Sequence, residues 1–218
     1  MKKLINGIVE FRQNVLPGYR EKFANLAQGQ SPDSLFITCS DSRVAPNWFA
    51  STDPGDLFVV RNVGNLIPVC KKDGHSSADE SEAAAIEFAL LNLKITDIVV
   101  CGHSDCGAMH AIVNGRDNIT ASNLKAWLRH GEGALKNLPS NLTGLAKVNR
   151  LSQLNVLHQL EHLRSYPMVK ERIENKTLRL HGWWFELKTA DVHAYEETFG
   201  KFVPIDQEEA HRILSRLE

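Results

Sequence analysis

The sequence predicts an α/β fold in which helices flank a central parallel sheet. Two observations support this prediction: short runs that are apolar throughout, as strands buried on both faces are, and longer helical stretches between them. We expect four strands in this sheet and a fifth at residues 191–195. The 218 residues fit one domain with its own core, so we expect a single domain over residues 1–218.

Residues 1–30 are predicted to form an N-terminal helical arm. Pro17 and Gly18 predict a break between a first helix and a second short helix at about residues 20–27. Both helices precede the first strand, so little of this chain is available for them to pack on. We expect the arm to clasp another part of the domain or a partner subunit. The apolar face of the first helix consists of Leu4, Ile5, Ile8, Val9 and Phe11.

Strands and covering helices are then predicted in alternation along the chain. A turn signal at residues 53–55 precedes the second strand. Helical periodicity marks residues 77–93 and most of residues 121–163. The predicted strands are residues 34–38, 56–61, 96–101, 178–181 and 191–195.

Composition and charge exclude several classes of protein. Hydrophobic residues make up 43% and charged residues 23%, as in soluble globular domains, and the formal net charge is -1. That charge predicts no nucleic-acid partner, and no stretch approaches the roughly 20 apolar residues of a membrane span. Asn6 and Glu10 interrupt the N-terminal segment before a signal-peptide core forms, which predicts a cytoplasmic protein. The four cysteines are therefore expected to be free or metal-bound.

Three residues with metal-binding side chains follow two of the predicted strands. Cys39 follows the first strand, and His103 and Cys106 follow the third as a His-x-x-Cys pair. Ligands bind at the carboxyl ends of parallel strands, so the three residues can meet at one edge of the sheet. Two thiolates and an imidazole suit Zn²⁺ and leave one of four positions open, as in catalytic zinc sites. The residues alone leave two alternatives open, namely small buried cysteines and a thiol redox site beside Arg43.

Around these residues the chain resembles the β-carbonic anhydrases, in particular the plant-like branch of that family. The family signatures Cys-x-Asp-x-Arg and His-x-x-Cys both occur, and the similarity covers nearly the whole chain. The resemblance implies a parallel central sheet of four strands with one added edge strand. It also implies one Zn²⁺ per chain, held by the three ligands above, and a homodimer or higher homo-oligomer. The segments that carry it are residues 39–43, 55–65, 85–89, 103–106 and 180–183.

The activity implied by the resemblance is the reversible hydration of CO₂ to bicarbonate and a proton through a zinc-bound hydroxide. Asp41 and Arg43 are expected to act in it as a pair. An ionised carboxylate can only accept hydrogen bonds, so Asp41 would turn the hydrogen of the hydroxide toward itself and a lone pair toward CO₂. Arg43 would keep Asp41 ionised and oriented.

Five further positions match residues that contact substrate in this family. Gln30 matches a glutamine that hydrogen-bonds substrate, and the backbone N–H of Gly107 is expected to donate to a bicarbonate oxygen. Phe58, Val63 and Phe88 match the lining of an apolar CO₂ pocket, which the neighbouring subunit partly builds. Phe88 stands where a tyrosine is usual. The residues alone fit ordinary core packing at these three apolar positions nearly as well.

Two substitutions concern regulation. Some family members bind inhibitory bicarbonate with a tryptophan, an arginine and a tyrosine, and the matching residues here are Phe36, Arg61 and Phe185. Neither phenylalanine can donate a hydrogen bond. We therefore expect an enzyme of the open type, in which water rather than Asp41 occupies the fourth zinc position at neutral pH.

Three alternative functions stay open at this point. A family relative that hydrolyses carbonyl sulfide or carbon disulfide would use the same zinc chemistry. A non-catalytic zinc protein would not need Asp41, Arg43 and Gln30, and a thiol redox sensor would not hold zinc tightly. Of the remaining cysteines, Cys101 is expected to pack inside its strand and Cys70 to be exposed in a polar loop.

Overall fold

One six-stranded sheet organises the protein in a computed structural model that describes residues 1–78 and 80–217. Its strands are β1 (Ser34–Cys39), β2 (Leu57–Asn62), β3 (Asp97–His103), β4 (Arg179–Glu186), β5 (Asp191–Glu196) and β6 (Lys201–Pro204). The order across the sheet is β2-β1-β3-β4-β5-β6. β1 to β4 are parallel, whereas β5 and β6 are antiparallel to their neighbours.

The parallel four-stranded core is confirmed, but the prediction of one added strand is wrong because there are two. β6 is only four residues long, and its inner residues are only half-buried beside β5. Such a short segment carries no alternating or continuous apolar pattern, so the sequence does not distinguish it from a loop.

Helices surround this sheet. The α-helices are α1 (Lys2–Glu10), α2 (Leu16–Leu26), α3 (Pro46–Phe49), α4 (Ser81–Leu91), α5 (Gly107–Val113), α6 (Ser122–Leu128), α7 (Gly144–Arg164), α8 (Pro167–Glu174) and α9 (Gln207–Ser215). Two 3₁₀ helices cover Arg116–Asn118 and Arg129–Asn137. None of the helices in the described part of the chain is both long and apolar enough to cross a membrane.

The N-terminal arm is helical, but the break predicted within it is wrong. A π-helical segment, Phe11–Val15, joins α1 to α2, and Pro17 lies in the first turn of α2. Proline is tolerated there because α2 begins only one residue earlier, at Leu16, so the missing N–H has no partner within α2. None of the residues of α1 is buried, whereas Tyr19 and Lys22 of α2 both donate to the Asp53 carboxylate, at 2.9 Å and 2.7 Å.

The two faces of the sheet are both apolar but have different cover. On one face, Leu35 and Ile98 belong to the largest core cluster, which includes residues of α4, α7 and α8. On the other face, Phe36 and Val99 pack in a smaller cluster with Phe49 of α3. Burial on both faces explains why β1 and β3 are apolar at consecutive positions.

Helix α7 crosses closely over β3 at the end that leads to the predicted metal site. A Cβ atom added at Gly102 would lie 2.8 Å from Cγ2 of Val156, so glycine is needed for this approach. The approach also places Ser152 where its hydroxyl donates to the backbone carbonyl of His103 at 2.7 Å. The helix therefore braces the strand end that carries His103.

The two cysteines outside the predicted site are both buried. Cys101 packs inside β3 with no exposed surface, as predicted. The prediction for Cys70 is wrong: it is 8% exposed, and its backbone N–H donates to the Ser165 hydroxyl at 2.8 Å. The polar residues that follow Cys70 suggest an exposed loop, but the segment between α7 and α8 covers it.

Candidate metal centre

Three buried side chains converge at the carboxyl edge of the parallel strands. Cys39 is the last residue of β1, His103 is the last residue of β3, and Cys106 immediately precedes α5. Their ligand atoms, two Sγ atoms and one ring nitrogen, all lie within 4.8 Å of one another. Each residue is at most 5% exposed. The structure thus brings together the three residues that the sequence predicts as zinc ligands.

Backbone contacts set the tautomer of His103. Its Nδ1 lies 2.8 Å from the carbonyl oxygen of Ser104, and a carbonyl can only accept, so Nδ1 carries the hydrogen. The lone pair is then on Nε2, the nitrogen that faces the two thiols. Ser104 is itself held by its hydroxyl, which donates to Glu186 Oε1 at 2.6 Å. Such second contacts fix the orientation of a ligating imidazole.

The pKa values of the two thiols are shifted in opposite directions. The pKa of Cys39 is lowered well below its ordinary value, chiefly because the Cys106 side chain hydrogen-bonds to its sulfur, and the Gly64 N–H adds to the effect. The Gly64 nitrogen lies 3.4 Å from Cys39 Sγ. The pKa of Cys106 is raised well above its ordinary value by the hydrogen bond to Cys39 and by burial. A dication bound between the sulfurs would favour the thiolate of both.

These residues fit a zinc ion. His103 Nε2 is buried and has no hydrogen-bond partner among the described residues, which is costly unless a ligand binds it. Sulfur and imidazole donors suit zinc, whereas magnesium and calcium require oxygen donors. Three protein ligands leave a fourth position for a water molecule or substrate.

A charged pair lies beside the three ligands. Arg43 donates from Nε to Asp41 Oδ1 at 3.0 Å and from Nη2 to Asp41 Oδ2 at 2.8 Å. These bonds lower the pKa of Asp41 to about 2. Asp41 Oδ2 lies 4.0 Å from His103 Nε2, so an ionised carboxylate is held close to the position that a metal would take. The predicted pairing of Asp41 with Arg43 is present in the structure.

Arg61 fixes the loop that carries this pair. Its guanidinium donates twice to the Cys39 carbonyl, at 3.1 Å and 3.0 Å, and to the carbonyls of Asp41 and Val44, both at 2.7 Å. Three N–H bonds of one planar group make these four contacts, so one hydrogen is shared, and they keep the carbonyls turned inward. Arg61 therefore shapes the loop between Cys39 and Val44.

No sequence pattern singles out Asp105, yet the structure places it in contact with Arg43. Nη1 and Nη2 of Arg43 donate to the side chain and to the backbone carbonyl of Asp105, each at 3.1 Å. His110 Nε2 lies 2.8 Å from Asp105 Oδ1, and the Asp105 N–H donates to Asn149 at 2.8 Å. The position of Asp105 between two predicted ligands is the one available signal. His110 and Asn149 are brought in by α5 and α7.

Two of the predicted substrate contacts lie next to the ligands. Gly107 follows Cys106 as the first residue of α5, where a backbone N–H has no partner inside the helix. A Cβ atom at Gly107 would meet nothing within 4 Å, so space is available beside that N–H. Val63 directly follows β2, beside the glycine that bonds Cys39, and its side chain is exposed.

The other three predicted contacts lie near the amino-terminal ends of the strands, opposite the metal centre. Gln30 precedes β1, whereas Cys39 ends it, and a six-residue strand is about 17 Å long. Phe58 pairs in register with the second residue of β1, and its ring stacks on Phe88 with centroids 5.8 Å apart. Within one chain, Gln30, Phe58 and Phe88 therefore do not reach the metal centre.

Comparisons with known proteins point to one family. The family profile described as carbonic anhydrase matches residues 34–192. A carbonic anhydrase from Pseudomonas aeruginosa is 36% identical over 209 residues, which cover 94% of this chain and 92% of that protein. One from Synechocystis is 38% identical over 209 residues, covering 93% of this chain and 74% of that protein.

Solved structures agree with these relatives. The β-carbonic anhydrase CcaA superposes with a TM-score of 0.87 at 37% identity, covering 94% of this chain and 98% of that chain. A structure reported with two tetrameric β-carbonic anhydrases from Sordaria macrospora gives a TM-score of 0.76 at 28% identity, covering 93% of this chain and 100% of that chain.

Proposed function

The chain belongs to the β-carbonic anhydrase family, and on that basis we propose that it catalyses the zinc-dependent, reversible hydration of CO₂ to bicarbonate and a proton. The observation that carries the proposal is the juxtaposition of two buried thiols and an unpartnered imidazole nitrogen with an ionised Asp41. When bound, zinc supplies Lewis-acid activation of a water molecule at neutral pH. Cys39, His103 and Cys106 would hold one ion per chain.

Asp41 would orient the attacking water molecule. Its carboxylate accepts hydrogen bonds and cannot donate them while it is ionised. Oδ1 accepts from both Nε and the backbone N–H of Arg43, whereas Oδ2 accepts only from Nη2 and keeps a lone pair free to accept a hydrogen from water. The lone pair of that water would then point away from Asp41, toward the carbon of CO₂.

Gly107 and Val63 would contact the substrate. The N–H of Gly107 is suited to donate to a bicarbonate oxygen, because it needs no partner inside α5 and has open space beside it. Val63 offers an exposed apolar side chain at the same edge of the sheet. An apolar surface suits CO₂ but cannot hydrogen-bond bicarbonate, which favours release of the product.

Gln30, Phe58 and Phe88 would act on the site of a partner subunit in a homodimer or larger homo-oligomer. They lie near the amino-terminal ends of the strands in their own chain, away from its metal centre. The apolar side chains of α1 support such an assembly, because Leu4, Ile5 and Ile8 are more than half exposed. An exposed apolar stripe of this kind is stabilised by packing on another surface. The tetrameric fungal relatives are consistent with this proposal.

We further propose that the enzyme is of the open type, with Asp41 off the metal at neutral pH. Both Asp41 oxygens are bonded to Arg43, and Arg61 donates from Nε and Nη2 to the carbonyls of the loop that follows β1. Phe36 and Phe185 pack on Phe49, with ring centroids 6.1 Å and 4.7 Å away. Neither phenylalanine carries a donor for an inhibitory bicarbonate. The cytoplasmic location predicted from the sequence stays a prediction.

The test of the proposed function combines zinc analysis with stopped-flow hydration of CO₂ between about pH 6.5 and 9. The wild type is expected to hold about one zinc per chain and to hydrate CO₂ rapidly. Cys106→Ser is expected to lose both zinc and activity. Cys101→Ser is the matched control, since Cys101 is equally buried but lies outside the metal group, and it should keep both.

The same samples separate the alternatives. Release of H₂S from carbonyl sulfide, with zinc present and no CO₂ hydration at pH 9, would overturn the proposal in favour of the sulfur-containing substrates. Tightly bound zinc with neither activity would instead indicate a non-catalytic zinc protein. A protein without zinc whose cysteines oxidise reversibly would indicate a redox role.

A further inference from the structure

The guanidinium of Arg43 has two carboxylate partners rather than one. Nε and Nη2 hold Asp41, while Nη1 and the second hydrogen of Nη2 reach Asp105 Oδ2 and the Asp105 carbonyl, each at 3.1 Å. Four of its five N–H bonds are therefore used. Asp41 is only two residues from Arg43, so their pair alone would move with the loop that carries both.

Asp105 is anchored to parts of the fold that Asp41 does not touch. His110 of α5 donates to its Oδ1 at 2.8 Å, and Asn149 of α7 accepts from its backbone N–H at 2.8 Å. Its φ angle is +53°, a left-handed conformation that aspartate tolerates better than most residues. Asp105 also lies between His103 and Cys106 in the chain, so it moves with two of the ligands.

We propose that Asp105 is a positioning residue for the hydration reaction. By holding the free edge of the Arg43 guanidinium, Asp105 ties the loop of Asp41 to the loop of His103 and Cys106. The Asp41 carboxylate is then fixed relative to the metal position. Arg43 is about half exposed, with 48% of its side chain accessible, so solvent alone would leave this edge unrestrained. The proposal rests on the proposed function, because it assigns Asp105 a part in that reaction.

Two substitutions separate positioning from simple loss of structure. Asp105→Gly removes the carboxylate, and glycine adopts a positive φ without strain. Asp105→Asn keeps an acceptor for Arg43 and a polar group for His110, and asparagine also tolerates this conformation. Lys94→Gly is the matched control for glycine at a positive φ, since Lys94 is exposed at φ +57° in the loop before β3.

The first measurements are kcat and KM for CO₂ and the zinc content. The second is the rate at which the Arg43 Nε–H exchanges with water, which NMR follows. The Nε–H signal is assigned by its absence in Arg43→Lys. Asp105→Gly is expected to lower kcat about tenfold at unchanged zinc content, since small displacements of positioned groups cost that much or more. Its Nε–H should exchange about tenfold faster. Asp105→Asn should restore both values to within about threefold, and Lys94→Gly should match the wild type.

The double variant Asp105→Gly/Arg43→Lys shows whether Asp105 acts through Arg43. It should be no slower than Arg43→Lys alone. Three results would each overturn the proposal. The double variant could show a loss of kcat equal to the product of the two single losses. Asp105→Gly alone could lose its zinc, or it could keep the kcat of the wild type. Failure of the wild type to hydrate CO₂ would overturn the proposed function instead. In that case the exchange rate still decides whether Asp105 restrains Arg43.

Discussion

The approach of α7 to β3 at Gly102 gives a stability prediction whose size follows from the structure. In Gly102→Ala, the new methyl group would lie 2.8 Å from Val156 Cγ2, 3.1 Å from Ser152 Oγ and 3.3 Å from the Ser152 carbonyl oxygen. Normal carbon–carbon contacts are near 3.5–4.0 Å. Because one neighbour is backbone and Val156 is fully buried, the helix must move outward.

Two opposing terms set the magnitude. Overpacking of a buried site costs about 1–3 kcal/mol, whereas replacing glycine recovers roughly 0.4–1 kcal/mol through the unfolded chain. We expect a cost in the upper half of the first range, so after the recovered part is subtracted Gly102→Ala should lower the free energy of unfolding by about 1–2.5 kcal/mol. The shift should also weaken the bond from Ser152 to the His103 carbonyl and reduce zinc affinity about tenfold.

The assay is urea unfolding at one fixed protomer concentration, with a competing zinc chelator used to measure affinity. Gly182→Ala is the matched control on the neighbouring strand. There the nearest atoms, Leu160 Cδ1 and Val156 Cγ1, are side-chain ends at 3.2 Å that can adjust. The reasoning is refuted if Gly102→Ala is as stable as Gly182→Ala and binds zinc equally well.

Three further predictions concern pH, the Arg61 clamp and metal removal. Burial lowers the pKa of His158 to about 4, below its unfolded value of about 6.5. The free energy of unfolding should therefore be highest above pH 6.5 and fall as the pH drops toward 4. Because the ring is partly exposed, we expect this loss to be no more than about 2 kcal/mol. His158→Gln should flatten the decline in melting temperature between pH 7.5 and 5. Arg61→Lys should lose about 2 kcal/mol in urea unfolding, because an ammonium group cannot serve three carbonyls in a plane, and wild-type stability would contradict the clamp. A chelator should lower the melting temperature of the zinc-loaded wild type by roughly 10 °C and leave Cys106→Ser unchanged, whereas equal shifts would show that the metal lies elsewhere.

Much of the fold can be predicted because strands buried on both faces have a recognisable pattern of consecutive apolar residues. β1 and β3 are apolar at consecutive positions since both faces of the sheet are covered, and their carboxyl ends identify the metal edge. Cys39, His103 and Cys106 were identified by chemistry and spacing together. The short edge strand β6 and the continuous helix past Pro17 have no such apolar pattern. The first depends on the place of β6 beside β5, and the second on the place of Pro17 in the first turn of α2.

The supporting contacts of the site depend on tertiary packing, which sequence reasoning does not reach. Asn149 and Ser152 lie more than forty residues from the groups they hold, and their helix pattern shows only which face of α7 is apolar. Asp105 occupies an unspecified position of the His-x-x-Cys motif. Cys70 lies in a polar stretch, yet the segment before α8 buries it.

The central claim is that a zinc site formed by Cys39, His103 and Cys106 hydrates CO₂ with Asp41 orienting the water. Its most direct test is the stopped-flow hydration rate of the wild type and of Asp41→Asn, compared at equal measured zinc content. An amide can donate as well as accept, so it no longer enforces the orientation of the water. We expect rapid hydration by the wild type and a rate at least about a hundredfold lower for Asp41→Asn. Equal rates in the two proteins, or no hydration by the zinc-loaded wild type, would contradict this account.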